Sequence, residues 1–141
     1  MFCLIPLLLV GYSVTIQTGW HMSQNNDAPY VQAQTCKTGV GLHGKVSAAP
    51  WVSGGVHYGM TWRPSKDIEL TVQPQVGLSY FNQHHPNGQR QIGRFEVGLA
   101  LMASYQRVYL NLEYTHLSNG EGTSPTNIGL DLVGVQAGYS F

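Results

Sequence analysis

Charge is scarce in this chain. Only 10% of its 141 residues are charged and 43% are hydrophobic, whereas soluble domains carry roughly 25% charged residues. Long apolar runs are missing too. The longest, FCLIPLLLVG at residues 2–11, is about half of what a membrane-spanning helix needs and is interrupted by Pro6. There is no basic excess: Lys+Arg and Asp+Glu number 7 each, which excludes the electrostatic footprint of a nucleic-acid binder. The two cysteines, Cys3 and Cys36, are too few for a disulfide framework and have no zinc-ligand spacing. With Cys3 in the N-terminal run, Cys36 is expected to be left as an unpaired thiol, and no metal site is expected.

What the chain does have is alternation. Val52, Val56, Tyr58, Met60 and Trp62 share one parity, and Ser53, Gly55, His57, Gly59 and Thr61 share the other. The same rhythm runs through Ile68–Leu70–Val72–Pro74–Val76–Leu78–Tyr80, Phe95–Val97–Leu99–Leu101–Ala103–Tyr105, Val108–Leu110–Leu112–Tyr114 and Val133–Val135–Ala137–Tyr139–Phe141. Each run is about ten residues long, apolar on one face and Gln, Ser, Thr or Gly on the other, as in transmembrane barrel strands with a lipid-facing exterior and a polar interior. A soluble sandwich also alternates, but its strands average about five or six residues and its open face carries more Lys and Glu. Trp51, Trp62, Tyr80, Tyr105, Tyr139 and Phe141 fall near strand ends and are expected in interfacial girdles. Ending on an aromatic after an alternating run resembles the C-terminal signal of bacterial outer-membrane barrels.

The expected fold is therefore all-β, an eight-stranded antiparallel up-and-down transmembrane barrel. Six strands are plain, at 13–22, 51–63, 67–82, 91–106, 107–118 and 127–141. Residues 30–46 must supply two short ones hinged at Lys37–Thr38. Pro74 cannot donate to a ladder, so it must sit at a bulge or at a broken ladder position. Connections alternate between tight (63–67, 106–107) and long (82–91, 119–126), which places the long ones outside the cell. Residues 1–12 read as a signal-peptide remnant, although no Lys or Arg precedes the apolar run and no small-x-small cleavage site follows. A first strand with an apolar extension, or a truncated gene start, is the rival reading. Residues 13–141 read as one outer-membrane barrel domain.

On the penultimate strand the lipid-facing row continues beyond Tyr114 to His116 and Ser118. On the last strand Asp131 shares its parity with Val133 and Val135. Polar groups on a lipid face are costly and are functional candidates for that reason. Residues i and i+2 of a strand lie about 6.5–7 Å apart on one face, a gap that an imidazole can close to a serine hydroxyl. If Ser118 faces Asn127, then His116 faces Gly129 and Asp131 is its diagonal neighbour. A shift by one pair puts His116 and Asp131 directly opposite. Either way a nucleophile, a base and an orienting acid gather on one face.

The segments YTHLSNG (114–120) and NIGLD (127–131) resemble the lipid A 3-O-deacylase (PagL-like) family of outer-membrane barrels. The family pattern is His-x-Ser-Asn, then Asn-x-Gly-x-acid, here His116, Ser118, Asn119 and then Asn127, Gly129, Asp131. The resemblance implies a serine esterase-type hydrolase with Ser118, His116 and Asp131 as its triad, Asn119 as an oxyanion donor, and Asn127 and Gly129 in oxyanion or substrate positioning. It implies removal of the ester-linked 3-hydroxyacyl chain at the 3 position of lipid A, without metal or cofactor. The partners implied are lipid A or lipopolysaccharide and the outer membrane, with no nucleic acid; a homodimer is left open. The family acid is typically Glu, one methylene longer than Asp131. The rival readings are a non-enzymatic small barrel, an adhesin or structural protein, and, third, a phospholipase of similar mechanism. Asn127 and Gly129 then merely shape the start of a strand. Glu121 is a rival acid in a Gly-rich, solvated loop. His84 and His85 are adjacent and point apart, which argues against a metal pair. Arg90, Arg94 and Lys45 either meet lipid phosphates or, the preferred reading, belong to loop or lumen. Glu69, Glu96, Glu113 and Arg94 are expected to form a lumenal network.

Overall fold

The computed structural model describes residues 14–22, 28–36, 38–48, 51–84, 90–118 and 130–140. Period-two sequence becomes strand throughout: β1 (Val14–Met22), β2 (Ala28–Thr35), β3 (Gly39–Ser47), β4 (Trp51–Trp62), β5 (Ile68–His84), β6 (Arg90–Tyr105), β7 (Val108–Ser118) and β8 (Leu130–Ser140). Each strand pairs antiparallel with the next, and β1 pairs with β8, so the sheet closes into an eight-stranded barrel. The two strands expected from residues 30–46 are β2 and β3, separated at residues 36–38. The segment read as a signal remnant lies outside the described residues.

Pairing to β4 stops at His57↔Gln75 and resumes at Met60↔Val72 in unchanged register. Pro74 thus sits at a broken ladder position, where its missing N–H removes no bond. The two-residue hairpin between β6 and β7 is closed by Gln106 at φ 54°, supplying the positive φ that tight hairpins favour. Gly55 and Gly77 face each other across β4 and β5. A Cβ on either would drive into the opposite backbone, 2.1 Å from the Val76 carbonyl oxygen or 2.4 Å from that of Gly54, so these two glycines permit the close approach of the strands there. Cys36 is disulfide-bonded, which corrects the expectation of an unpaired thiol; its partner lies outside the described residues.

The outer wall is the predicted apolar set, with Val56, Met60, Val76, Leu78, Leu101, Leu110 and Val135 all exposed. Trp62, Tyr105 and Tyr139 ring the end with the short turns, while Trp20, Tyr80, Phe95 and Tyr114 lie towards the other. Trp51 is a correction. It is 4% exposed and points into the barrel, because it shares the inward parity of Ser53 and not the outward parity of Val52.

The lumen is filled, not open. Lys45 reaches Glu96 and Glu113 and donates to Thr115 Oγ1 at 3.2 Å. Thr115 donates to Glu113 at 2.6 Å. Gln136 donates to Glu113 at 3.0 Å and to Gln32 at 3.2 Å, and it accepts from Asn111 at 2.7 Å. One cation thus holds carboxylates from two strands, as buried charge requires. Lys45 is therefore a lumenal residue, as preferred. Glu69 stands apart from this network, pairing with Arg63 at 2.6 Å beside the 63–67 turn; the side chain of Arg94 lies outside the described set. At the end of the barrel opposite the short turns the lumen turns apolar. Tyr30, Trp51, Phe81, Leu117, Leu130 and Leu132 form one buried cluster. The short turns mark the periplasmic end, so this apolar layer stops the lumen just beneath the outer mouth.

Candidate active site

The last turns of β7 and the first of β8 carry opposite chemistry on their two faces. Inward, Leu117 pairs with Leu130, and Leu132 follows; all are buried. Burying a leucine stabilises by roughly 1.5–3 kcal/mol, so this packing holds the hairpin stem and its parity in place. Outward, by the same parity, come Tyr114, His116 and Ser118 on β7 and Asp131 on β8.

The register pairs His116 directly with Asp131, the second of the two alignments expected. His116 Nδ1 lies 2.8 Å from Asp131 Oδ1. The two side chains are 39% and 62% exposed on the barrel wall, with Val97 beside His116 on β6 and Val133 next in line on β8. A bond from Nδ1–H to the carboxylate selects the tautomer whose Nε2 carries a free lone pair, the form a general base requires. Ser118 is half-buried at the end of β7, opposite Phe95 of β6 and two residues beyond His116. Its hydroxyl is on the imidazole's side of the strand, but no hydrogen bond joins the two here. The structure thus brings His116 and Asp131 together and does not join Ser118 to them. Asn119, Asn127 and Gly129 lie outside the described residues, as do Glu121 and His85.

Tyr114 was not among the expected site residues. Its hydroxyl donates to Asp131 Oδ1 at 2.6 Å, so the phenol and the imidazole converge on one carboxylate oxygen. On sequence alone an outward tyrosine near a strand end is indistinguishable from a girdle residue. Its i, i+2 spacing to His116 was the one available signal. No group of three or more His, Cys, Asp or Glu side chains suited to a metal occurs among the described residues.

Comparison with protein families finds a match over residues 10–140 to the family described as lipid A 3-O-deacylase (PagL). The chain belongs to this family. The PagL match spans all eight strands and both segments of the motif. Among solved structures, the outer membrane enzyme PagL superposes with a TM-score of 0.59 at 11% identity, covering 90% of this chain and 98% of that one. Neisserial surface protein A follows at 0.52, with 12% identity over 92% and 96% of the two chains. A de novo designed transmembrane β-barrel gives 0.51, with 14% identity over 92% and 95%. These likenesses establish the fold, and a designed barrel among them makes plain that the fold alone implies no chemistry. Comparison with curated proteins returned no match. As a PagL-family member with this barrel, the chain is an outer-membrane protein of a lipid A deacylase family.

Proposed function

We propose that this protein hydrolyses the ester at the 3 position of lipid A, releasing a 3-hydroxy fatty acid, with Ser118, His116 and Asp131 as its triad. The observation that carries the reading is the His116–Asp131 bond on the lipid-facing wall, in register with a serine two residues on. A lipid A molecule in the outer leaflet presents its acyl esters just below the headgroup, at the depth of the outer strand ends.

In this mechanism Ser118 Oγ attacks the ester carbonyl as its proton passes to His116 Nε2. Asp131 holds the ring and stabilises the imidazolium. In this reading the tetrahedral oxyanion takes a hydrogen bond from Asn119, with Asn127 and Gly129 in oxyanion or substrate positioning, as the family motif implies. The imidazolium returns its proton to the departing sugar hydroxyl, leaving an acyl-serine. Water, deprotonated by His116, then frees the fatty acid and restores Ser118. Ser118 and His116 share no hydrogen bond in this structure, and such contacts commonly tighten only once substrate is in place. The surrounding apolar wall accommodates the acyl chains, and no metal or cofactor enters any step.

The test is mass spectrometry of lipid A from cells expressing the protein, alongside release of 3-hydroxy fatty acid by purified protein in detergent. Wild type should remove one 3-hydroxyacyl mass. Ser118→Ala and His116→Ala should lower the rate by about 10³-fold or more. Undiminished release by either variant overturns the triad, and release from phospholipids in preference to lipid A overturns the substrate.

A further inference from the structure

We propose that Tyr114 is a positioning residue of this site, a second clamp on Asp131 that fixes the carboxylate against His116. The proposal rests on the deacylase reading and goes beyond its three residues.

Tyr114 and His116 occupy the same outward face of β7, and the strand opposite offers Val133 and Asp131 in the matching pairs. From these positions both donors reach Asp131 Oδ1, the phenol at 2.6 Å and the imidazole at 2.8 Å. Asp131 is 62% exposed on the outward wall near the outer end of β8, a level where hydrogen-bonding partners are scarcer than in bulk water. A carboxylate there depends on protein donors. Bonds to an ionised acceptor are about twice as strong as neutral ones. With His116 alone, the carboxylate could turn about its own Cβ–Cγ bond and exchange one oxygen for the other. With the phenol on the same oxygen, turning breaks two bonds at once. The consequence is a fixed direction for Oδ1, hence a fixed ring plane for His116 and a fixed line from Nε2 towards Ser118. Preorganisation of this kind acts on the chemical step and not on substrate binding.

A girdle tyrosine gives its hydroxyl to headgroups and water. Tyr114 gives its hydroxyl to the acid, and removing that one oxygen separates the two roles. Tyr114→Phe keeps the ring, its volume and its lipid contact. We expect its kcat to fall about tenfold, the size of one charge-assisted hydrogen bond, with KM within about twofold of wild type. In an Asp131→Asn background, where the charged acceptor is gone, Tyr114→Phe should change the residual rate by less than about twofold, because coupled residues are not additive. A second readout requires no turnover. In protein labelled with ¹⁵N-histidine, the Nδ1–H proton resonance assigned by its loss in His116→Ala should shift or broaden in Tyr114→Phe.

Wild-type kcat in Tyr114→Phe, an equal tenfold loss in the Asp131→Asn background, or an unmoved Nδ1–H resonance each overturns the clamp. Failure of the underlying reading looks different: Ser118→Ala then retains activity, while the resonance still reports whether Tyr114 holds Asp131.

Discussion

Strand β7 carries two polar clusters back to back. On its inner face Glu113 and Thr115 join Lys45 of β3, Glu96 of β6 and Gln136 of β8. On its outer face Tyr114 and His116 join Asp131 of β8. Both clusters hold ionisable groups in a medium poor in water, but they are built differently. The inner one draws on distant parts of the sequence, is fully buried and sets one cation between two carboxylates. The outer one draws on a single hairpin, stands open on the wall and points both of its donors at one acid. The first arrangement ties strands together. The second leaves Nε2 of an imidazole uncommitted, which does nothing for stability and is what a base needs. Burial and partner count, not polarity, separate a structural network from a chemical one.

Asp131→Asn is the most severe test of that contrast. The amide keeps the shape but loses the charge, and it can present N–H to the imidazole and so favour the wrong tautomer. Activity should fall by about 10³-fold, while the urea midpoint of the barrel moves little, since the acid is exposed and pairs only within one hairpin. A large loss of stability would mean that the outer cluster is structural after all. Lys45→Met is the reciprocal change. It leaves Glu96 and Glu113 facing each other in the lumen without their cation, and stability should drop by about 3–5 kcal/mol, read from reversible urea unfolding in detergent micelles. Activity per folded molecule should stay within about twofold. A Lys45→Met barrel of unchanged stability would show that neighbouring donors already neutralise both carboxylates.

How much of this was open to sequence reading depends on parity. Alternation assigns each side chain to wall or lumen, which is why six strands, the outward set and the lumenal place of Glu96 and Glu113 followed from it, whereas the two strands within residues 30–46 rested on the even strand count and Lys45 stood between loop and lumen. Trp51 was misplaced when nearness to a strand end was allowed to outweigh parity. Register is a different matter. Slipping β8 against β7 by one pair leaves every residue on its own face, so the pattern cannot separate His116 opposite Gly129 from His116 opposite Asp131. In the structure Leu117 pairs with Leu130 inside the barrel, and His116 therefore stands opposite Asp131 outside it. The apolar layer under the mouth was missed because its six members come from five strands, and no local window contains it. Tyr114 was missed because a tyrosine on that face has a sufficient reason to be there without the acid.

The mildest change is also the sharpest probe of the outer cluster. Asp131→Glu preserves charge and lengthens the side chain by one methylene, towards the acid typical of PagL-like proteins. Asp131 stands directly across from His116, so its short side chain already spans the gap. A glutamate must fold back to place an oxygen at Nδ1, and in doing so it moves away from the Tyr114 hydroxyl. The imidazole bond should survive and the phenol bond should weaken. Activity is expected within about tenfold of wild type, far above Asp131→Asn, and Tyr114→Phe should cost less in the glutamate background than in the native one. The rates of these five proteins (wild type, Asp131→Glu, Asp131→Asn, Tyr114→Phe and the Tyr114→Phe/Asp131→Glu double variant), measured in one detergent, separate charge from length. If Asp131→Glu is as inactive as Asp131→Asn, then the acid needs its reach as well as its charge.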